Sequence, residues 1–130
     1  MRYLLFALVI ITFSSCTKDD DPGDVDPIIG TWQYIYRLDS NEEFFATPCQ
    51  KKGRYVFYAD GSLLMKGYRL NNEDVCIDAG TNSGSWKNLE FETYEIQINV
   101  DSGVIRISFP DNDKMRIYES ETDYSEYQRL

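Results

Sequence analysis

From Ile28 onward no window of the chain keeps a 3.6-residue apolar period; apolar and polar residues alternate with period two instead. Trp32, Tyr34, Tyr36 and Leu38 share one face of the first segment, against Thr31, Gln33, Ile35 and Arg37. Tyr94, Ile96, Ile98 and Val100 alternate with Glu95, Gln97 and Asn99, and Ile105, Ile107 and Phe109 with Arg106 and Ser108. Met115 and Ile117 alternate with Lys114 and Arg116. Successive side chains of an extended strand point to opposite sides, so this pattern builds a sheet with one face turned to a core. Strands are expected at about 30–38, 53–59, 62–69, 83–88, 91–98, 103–109, 113–120 and 123–129.

Between them stand turn formers. Asp60-Gly61 links two apolar runs and is the strongest short hairpin signal, because glycine accepts a positive φ. Asp101-Ser102-Gly103 and Pro110-Asp111-Asn112 are similar punctuation. A chain of 130 residues has room for one domain. Eight short antiparallel strands in that space suit an all-β, closed up-and-down barrel, which leaves no exposed edge; a two-sheet sandwich is the alternative.

Composition narrows the chemistry. The chain has no histidine, which removes imidazole as general base, triad member and metal ligand. With 13 Lys+Arg against 22 Asp+Glu and a net charge of −9, it lacks the basic stripe that a nucleic acid needs. No Gly-x-Ser-x-Gly elbow, phosphate loop or dinucleotide fingerprint occurs. The expectation is a monomeric, non-enzymatic protein with neither cofactor nor metal.

The N-terminal residues read as an address. After Met1-Arg2, the run Tyr3 to Phe13 is apolar over 11 residues, short of the roughly 20 that a membrane-spanning helix takes. It suits the apolar region of a secretory signal. Ser14-Ser15-Cys16 follows and resembles the lipobox of bacterial lipoproteins, with Phe13 where that family usually has Leu, Val or Ile. The resemblance implies a signal peptide over 1–15 and diacylation of Cys16; an ordinary secretory signal is the alternative. Residues 16–27 (CTKDDDPGDVDP) form an extended, self-repelling acidic tether. Lys18 before the aspartates resembles the surface-export signal of Bacteroidota lipoproteins, which implies the outer face of the outer membrane; the periplasm-facing leaflet is the alternative.

With Cys16 used by lipidation, Cys49 and Cys76 remain as a pair, and beyond the cytoplasm they are expected to form a disulfide. In an up-and-down barrel the two long loops, 39–52 and 70–82, fall at the same end, and each carries one of these cysteines. The tether enters the first strand at the opposite end.

Ile29-Gly30-Thr31-Trp32 resembles the Gly-x-Trp signature of lipocalins. Tyr58-Ala59-Asp60-Gly61-Ser62, Gly84-Ser85-Trp86 and the cysteine pair are similar to features of small lipocalin-like lipoproteins of Bacteroidota. The resemblance covers about residues 28–130. It implies a membrane-anchored barrel that binds a small hydrophobic or amphipathic ligand in the lumen or at its mouth. An interaction module, a filled barrel offering its loops to a protein or glycan, is the alternative.

Two places are candidates for contact. Phe44 and Phe45 lie on the first long loop, near Asp39, Glu42, Glu43, Lys51 and Lys52, with Glu73, Asp74 and Asp78 on the second. The preferred reading is that the phenylalanines fold inward as a plug; an exposed apolar spot is the other. The lumen is the second place. Trp32, Tyr34, Tyr36, Phe57, Trp86, Tyr94, Ile96, Ile98, Ile105, Ile107, Phe109, Met115 and Ile117 are expected to point inward. Such a set either fills the barrel or lines a pocket, and a mostly filled barrel is the expectation.

Overall fold

The computed structural model describes residues 25–130, with strands β1 (Gly30–Asp39), β2 (Glu42–Phe45), β3 (Arg54–Phe57), β4 (Ser62–Leu70), β5 (Cys76–Asn88), β6 (Thr93–Ile98), β7 (Asp101–Asp111), β8 (Lys114–Tyr118) and β9 (Tyr124–Arg129). The expected signal peptide, the expected lipidation site Cys16 and the expected tether up to Asp24 lie outside the described residues. Strands pair in the order β2-β1-β3-β4-β5-β6-β7-β8-β9, and β1 also pairs with β9. Every pairing is antiparallel. The ring therefore closes through eight strands, with β2 added on the upper half of β1. This is the up-and-down barrel expected from the alternation, and the sandwich falls.

One end of the barrel is solid. Ile28, Trp32, Ile107 and Met115 are fully buried there, with Phe57, Leu63 and Tyr94 packed around them. Trp32 donates its indole N–H to the Ile28 carbonyl (2.8 Å), which pulls the chain preceding β1 under the ring. The Arg129 guanidinium lies 4.2 Å over the Trp32 ring and donates to the carbonyls of Pro27, Ile29 and Asn112. Gly30 has a φ of +144°, and a Cβ there would collide with that guanidinium. The spacing of Gly30 and Trp32 thus has a local cause: one residue makes room for the arginine, the other gives it a surface to stack on. Asp26 completes this end, accepting hydrogen bonds from Tyr94 Oη (3.0 Å) and Asn88 Nδ2 (2.6 Å).

The second half of the chain departs from expectation at β5. Residues 76–82 were expected to be loop, yet they pair with β4 up to Leu70↔Cys76, and only Asn71–Val75 turns. This part of the hairpin rises past β6, which pairs with β5 only over Gly84–Asn88. Residues Asp78–Ser83 are exposed, so no apolar alternation marks them as strand.

A bulge in β1 decides where the other end's side chains point. Tyr34 pairs with Tyr127 but Tyr36 with Glu126, so Ile35 is an extra residue against β9. An inserted residue reverses the facing of everything beyond it. Trp32 and Tyr34 face inward as expected; Tyr36 does not. It turns to the outer wall, and Arg37, opposite the lumen-facing Ser125, takes the inward place.

Candidate ligand-binding site

Above the packed end the lumen is hollow, which corrects the expectation of a mostly filled barrel. An inner chamber of about 250 Å³ is lined by Leu63, Met65, Ile96, Ile98, Ile105 and Ile117, with Phe57, Tyr55 and Tyr127. Glu119 and Ser125 are the polar groups on its wall. A vestibule of about 350 Å³ adjoins it, lined by Tyr34, Arg37, Gln50, Arg54, Lys66 and Tyr68 among others. Tyr55, Tyr127, Glu119 and Ser125 line both spaces and form the throat between them.

Strand pairing shapes the vestibule, whose wall includes Tyr34 and Arg37 of β1. β1 stays beside β3 only from Gly30 to Trp32, then pairs with β2 from Tyr36 onward. Between these ladders the wall is parted, and the segment 46–53 covers the gap. That segment is pinned by the Cys49–Cys76 disulfide (Cα–Cα 5.5 Å), as expected for this pair. Reciprocal bonds between Thr47 and Gln50 hold it too (2.9 and 3.2 Å). A Cβ at Gly53 would stand 3.0 Å from the Lys66 carbonyl, so the close approach to β4 leaves little room for a side chain there. Arg54 and Lys66 are partners in the β3–β4 ladder on the side opposite lumen-facing Tyr55 and Met65, and they border the vestibule where β3 parts from β1.

The throat is a collar of tyrosines. Tyr55 stacks on Tyr127 with centroids 5.1 Å apart, and Tyr34 packs on Tyr127 at 5.7 Å. Burial pushes the Tyr127 hydroxyl well above the usual range, and burial raises Tyr34 as well, so both remain neutral donors. Tyr34 Oη donates weakly to the Phe44 carbonyl (3.5 Å), linking the collar to β2. Arg37 Nη2 binds Asp39 (2.8 Å) and Glu119 (3.2 Å), while its Nε is buried without a partner.

The residues singled out from sequence separate into three groups. Tyr34 lines the vestibule, and the buried Trp32 borders it. Trp86 and Tyr94 do not line it; they stand at the packed end, where Trp86 Nε1 donates to the Tyr58 carbonyl (2.9 Å) and the two rings lie 6.3 Å apart. Tyr36 is outside the barrel, 5.6 Å from Phe45 and 6.1 Å from Tyr124, its hydroxyl 3.1 Å from that of Tyr124. Phe44 and Phe45 form no plug: they lie on β2, 52% and 66% exposed, Phe44 opposite Arg37 on the mouth side and Phe45 opposite Tyr36 on the outside. Pairing with β1 satisfies the β2 backbone at the rim and keeps it out of the lumen. Glu42 and Glu43, as strand neighbours, face opposite ways and do not form a carboxylate pair.

Sequence reasoning passed over Tyr55, Met65, Tyr127 and the cations. Tyr55 was within reach, two residues before inward-facing Phe57. Met65 sits in Leu63-Leu64-Met65, where the alternation is blurred. Nothing local marks Arg37, because its facing depends on the bulge.

No protein-family model matches the chain, and no curated protein matches it in sequence. Among solved structures it is similar to a lipocalin-like protein from Bacteroides uniformis, at 14% identity and a TM-score of 0.58, over 80% of this chain and 99% of that one. It is also similar to an uncharacterized protein from Bacteroides eggerthii, at 14% identity and a TM-score of 0.56, over 78% of this chain and 98% of that one. At such identities the likeness extends to the fold, which is lipocalin-like.

Proposed function

We propose that this chain is an outer-membrane lipoprotein, anchored through Cys16 and exposed at the cell surface, whose barrel binds a small amphipathic molecule. One observation carries the binding: an apolar chamber of about 250 Å³ opens through a tyrosine throat into a polar vestibule of about 350 Å³. Together these spaces suit a small molecule with one apolar and one polar end. The chain enters β1 at the packed end, opposite the mouth, so a tethered barrel would hold its vestibule away from the membrane. No imidazole is available for catalysis, and the reading is non-enzymatic.

Native mass spectrometry of the chain released gently from its own membranes tests the binding. An added mass that denaturation removes is the expected result; a bare chain at all protein loads argues against a carried ligand. Palmitate labelling that survives Cys16→Ala would reject the anchor.

A second reading, a surface module that docks a protein or glycan, is favoured by the outer wall. Phe45, Tyr36, Tyr124 and Tyr118 follow one another at 5.6, 6.1 and 5.5 Å, with Arg116 over Tyr124 and Arg106 over Tyr118. Beneath them the buried Glu126 binds Arg116 (2.9 Å). Aromatic and arginine side chains of this kind anchor interfaces. Proximity labelling on intact cells that loses one dominant partner in Phe45→Ser would support this reading over the first.

A further inference from the structure

Resting on the reading of Cys16 as a lipid anchor, we infer that the turn 89–92 is a membrane-contacting foot. It sets the Phe91 ring into the lipid surface to which the chain is tethered.

The turn joins β5 to β6 at the packed end. Glu90, Phe91 and Glu92 have φ values of +73°, +52° and +59°, three successive residues in the left-handed region. The other non-glycine residues with positive φ among those described are Ser40, Asn41, Asp74 and Asn99, all short and polar. A long or bulky side chain is rarely held in that conformation, because Cβ crowds the following carbonyl oxygen. Local bonds hold it here. Glu90 N–H donates to Asn88 Oδ1 (2.7 Å), Thr93 N–H to the Glu90 carbonyl (3.0 Å) and Ile107 N–H to the Glu92 carbonyl (2.8 Å). The Glu92 carboxylate pairs with Arg106 Nε at 3.2 Å. The outcome is a phenylalanine 94% exposed, fixed clear of the barrel. Strain kept at an exposed apolar tip points to a contact that the barrel alone does not make.

The chain's own path says what that contact is. Asn88, next to the turn, donates from Nδ2 to Asp26 Oδ2 (2.6 Å). The turn therefore stands beside the place where the chain leaves the barrel toward Cys16. Eight residues lie between Cys16 and Val25, and that length of chain spans about 30 Å at most. A lipid on Cys16 keeps this end of the barrel within that reach of the bilayer. Val25, Tyr58 and Leu130 are exposed at the same end.

Size argues for lipid over a protein partner. A stable protein interface buries on the order of 1,000 Å² or more, and a single short turn offers a fraction of that. A tethered barrel needs far less, since the anchor supplies the association and the foot only orients what is already held close. The turn is fixed beforehand, so little conformational freedom is lost on contact. With Glu92 paired to Arg106, Glu90 stays among the hydrated head groups while the ring enters the interface.

Tryptophan fluorescence of the lipidated full chain in phosphatidylcholine vesicles tests this. Phe91→Trp puts a reporter on the turn. Val100→Trp puts one at the mouth, where Val100 is 93% exposed between β6 and β7. The parent, which carries Trp32 and Trp86, is the blank. With lipids brominated on their acyl chains, the emission added by Phe91→Trp should be lost and that added by Val100→Trp kept. Phe91→Gly, which accepts a positive φ without penalty, should melt no lower than the parent.

If Phe91→Trp keeps its emission, or both reporters are quenched alike, the foot is overturned and the anchor stands. A blue shift of Phe91→Trp in native membranes without quenching in pure lipid vesicles would assign the turn to a protein and overturn the lipid contact. A Phe91→Gly chain melting well below the parent would show that the ring serves the fold, and would overturn the inference as well. If the parent fails to float with vesicles, the anchor reading itself fails and the foot falls with it.

Discussion

The two ends of this barrel are made from the same kinds of residue and differ in what closes them. At the packed end the chain before β1 folds under the ring, Trp32 fills the floor, and Arg129 stacks on it while donating to three carbonyls. At the open end β1 leaves β3 for β2, the wall parts, and isoleucines line a void. An apolar interior therefore does not ensure a filled one. Filling the lumen depends on a segment of chain closing the end.

The comparison can be broken by substitutions placed at each end. The largest effect is expected from Trp32→Ala, which leaves a cavity under the whole ring and should destabilise the fold by about 3–5 kcal/mol in urea unfolding. A loss below about 1 kcal/mol would mean that the floor does not hold the barrel. The disulfide comes next. Replacing Cys49 and Cys76 together by Ala should lower stability by about 3–4 kcal/mol, with faster amide exchange confined to 46–53 and the top of β5. Uniformly faster exchange would show that this bridge supports both ends.

An identical change made twice sharpens the contrast. Ile107→Phe overpacks a fully buried site and should cost about 1–3 kcal/mol. Ile98→Phe grows into the chamber and should stay within about 0.5 kcal/mol of the parent. Equal costs would refute the hollow.

The smallest effect concerns pH. Burial, then its bond to Asp26, raises the Tyr94 hydroxyl above the ordinary tyrosine value of 10.0. A pKa higher in the folded than in the unfolded state adds stability that is complete below pH 10 and is lost as the pH climbs toward the folded value. Thermal midpoints should therefore fall above pH 10, and Tyr94→Phe should lessen that fall while costing about 1 kcal/mol at neutral pH. A variant with an unchanged alkaline profile would assign the effect to other tyrosines, of which Tyr127 in the throat is also raised by burial.

Much of the barrel was readable because half-buried strands write their facing into the chain. The alternations of 94–98 and 105–109 and the Asp60-Gly61 turn are local signals, and β6, β7 and the β3–β4 hairpin lie where those signals put them. The upper half of β5 was not readable, because a hairpin wet on both faces has no reason to alternate. The site was read less well than the fold. Tyr34 reaches it as expected, but Trp86 and Tyr94 close the other end, and the bulge at Ile35 moves Tyr36 out and Arg37 in.

The amino-acid order by itself determined the all-β class, the turns, the pairing of Cys49 with Cys76 and the inward face of most strands, since each follows from period-two patterning, glycine's conformational freedom or cysteine count. Only the tertiary structure decided which half of the lumen is filled, which wall parts, and which cations meet there. The last two outcomes depend on β1 changing partners and carrying one residue more than β9. A ladder between strands about 90 residues apart has no counterpart in local sequence.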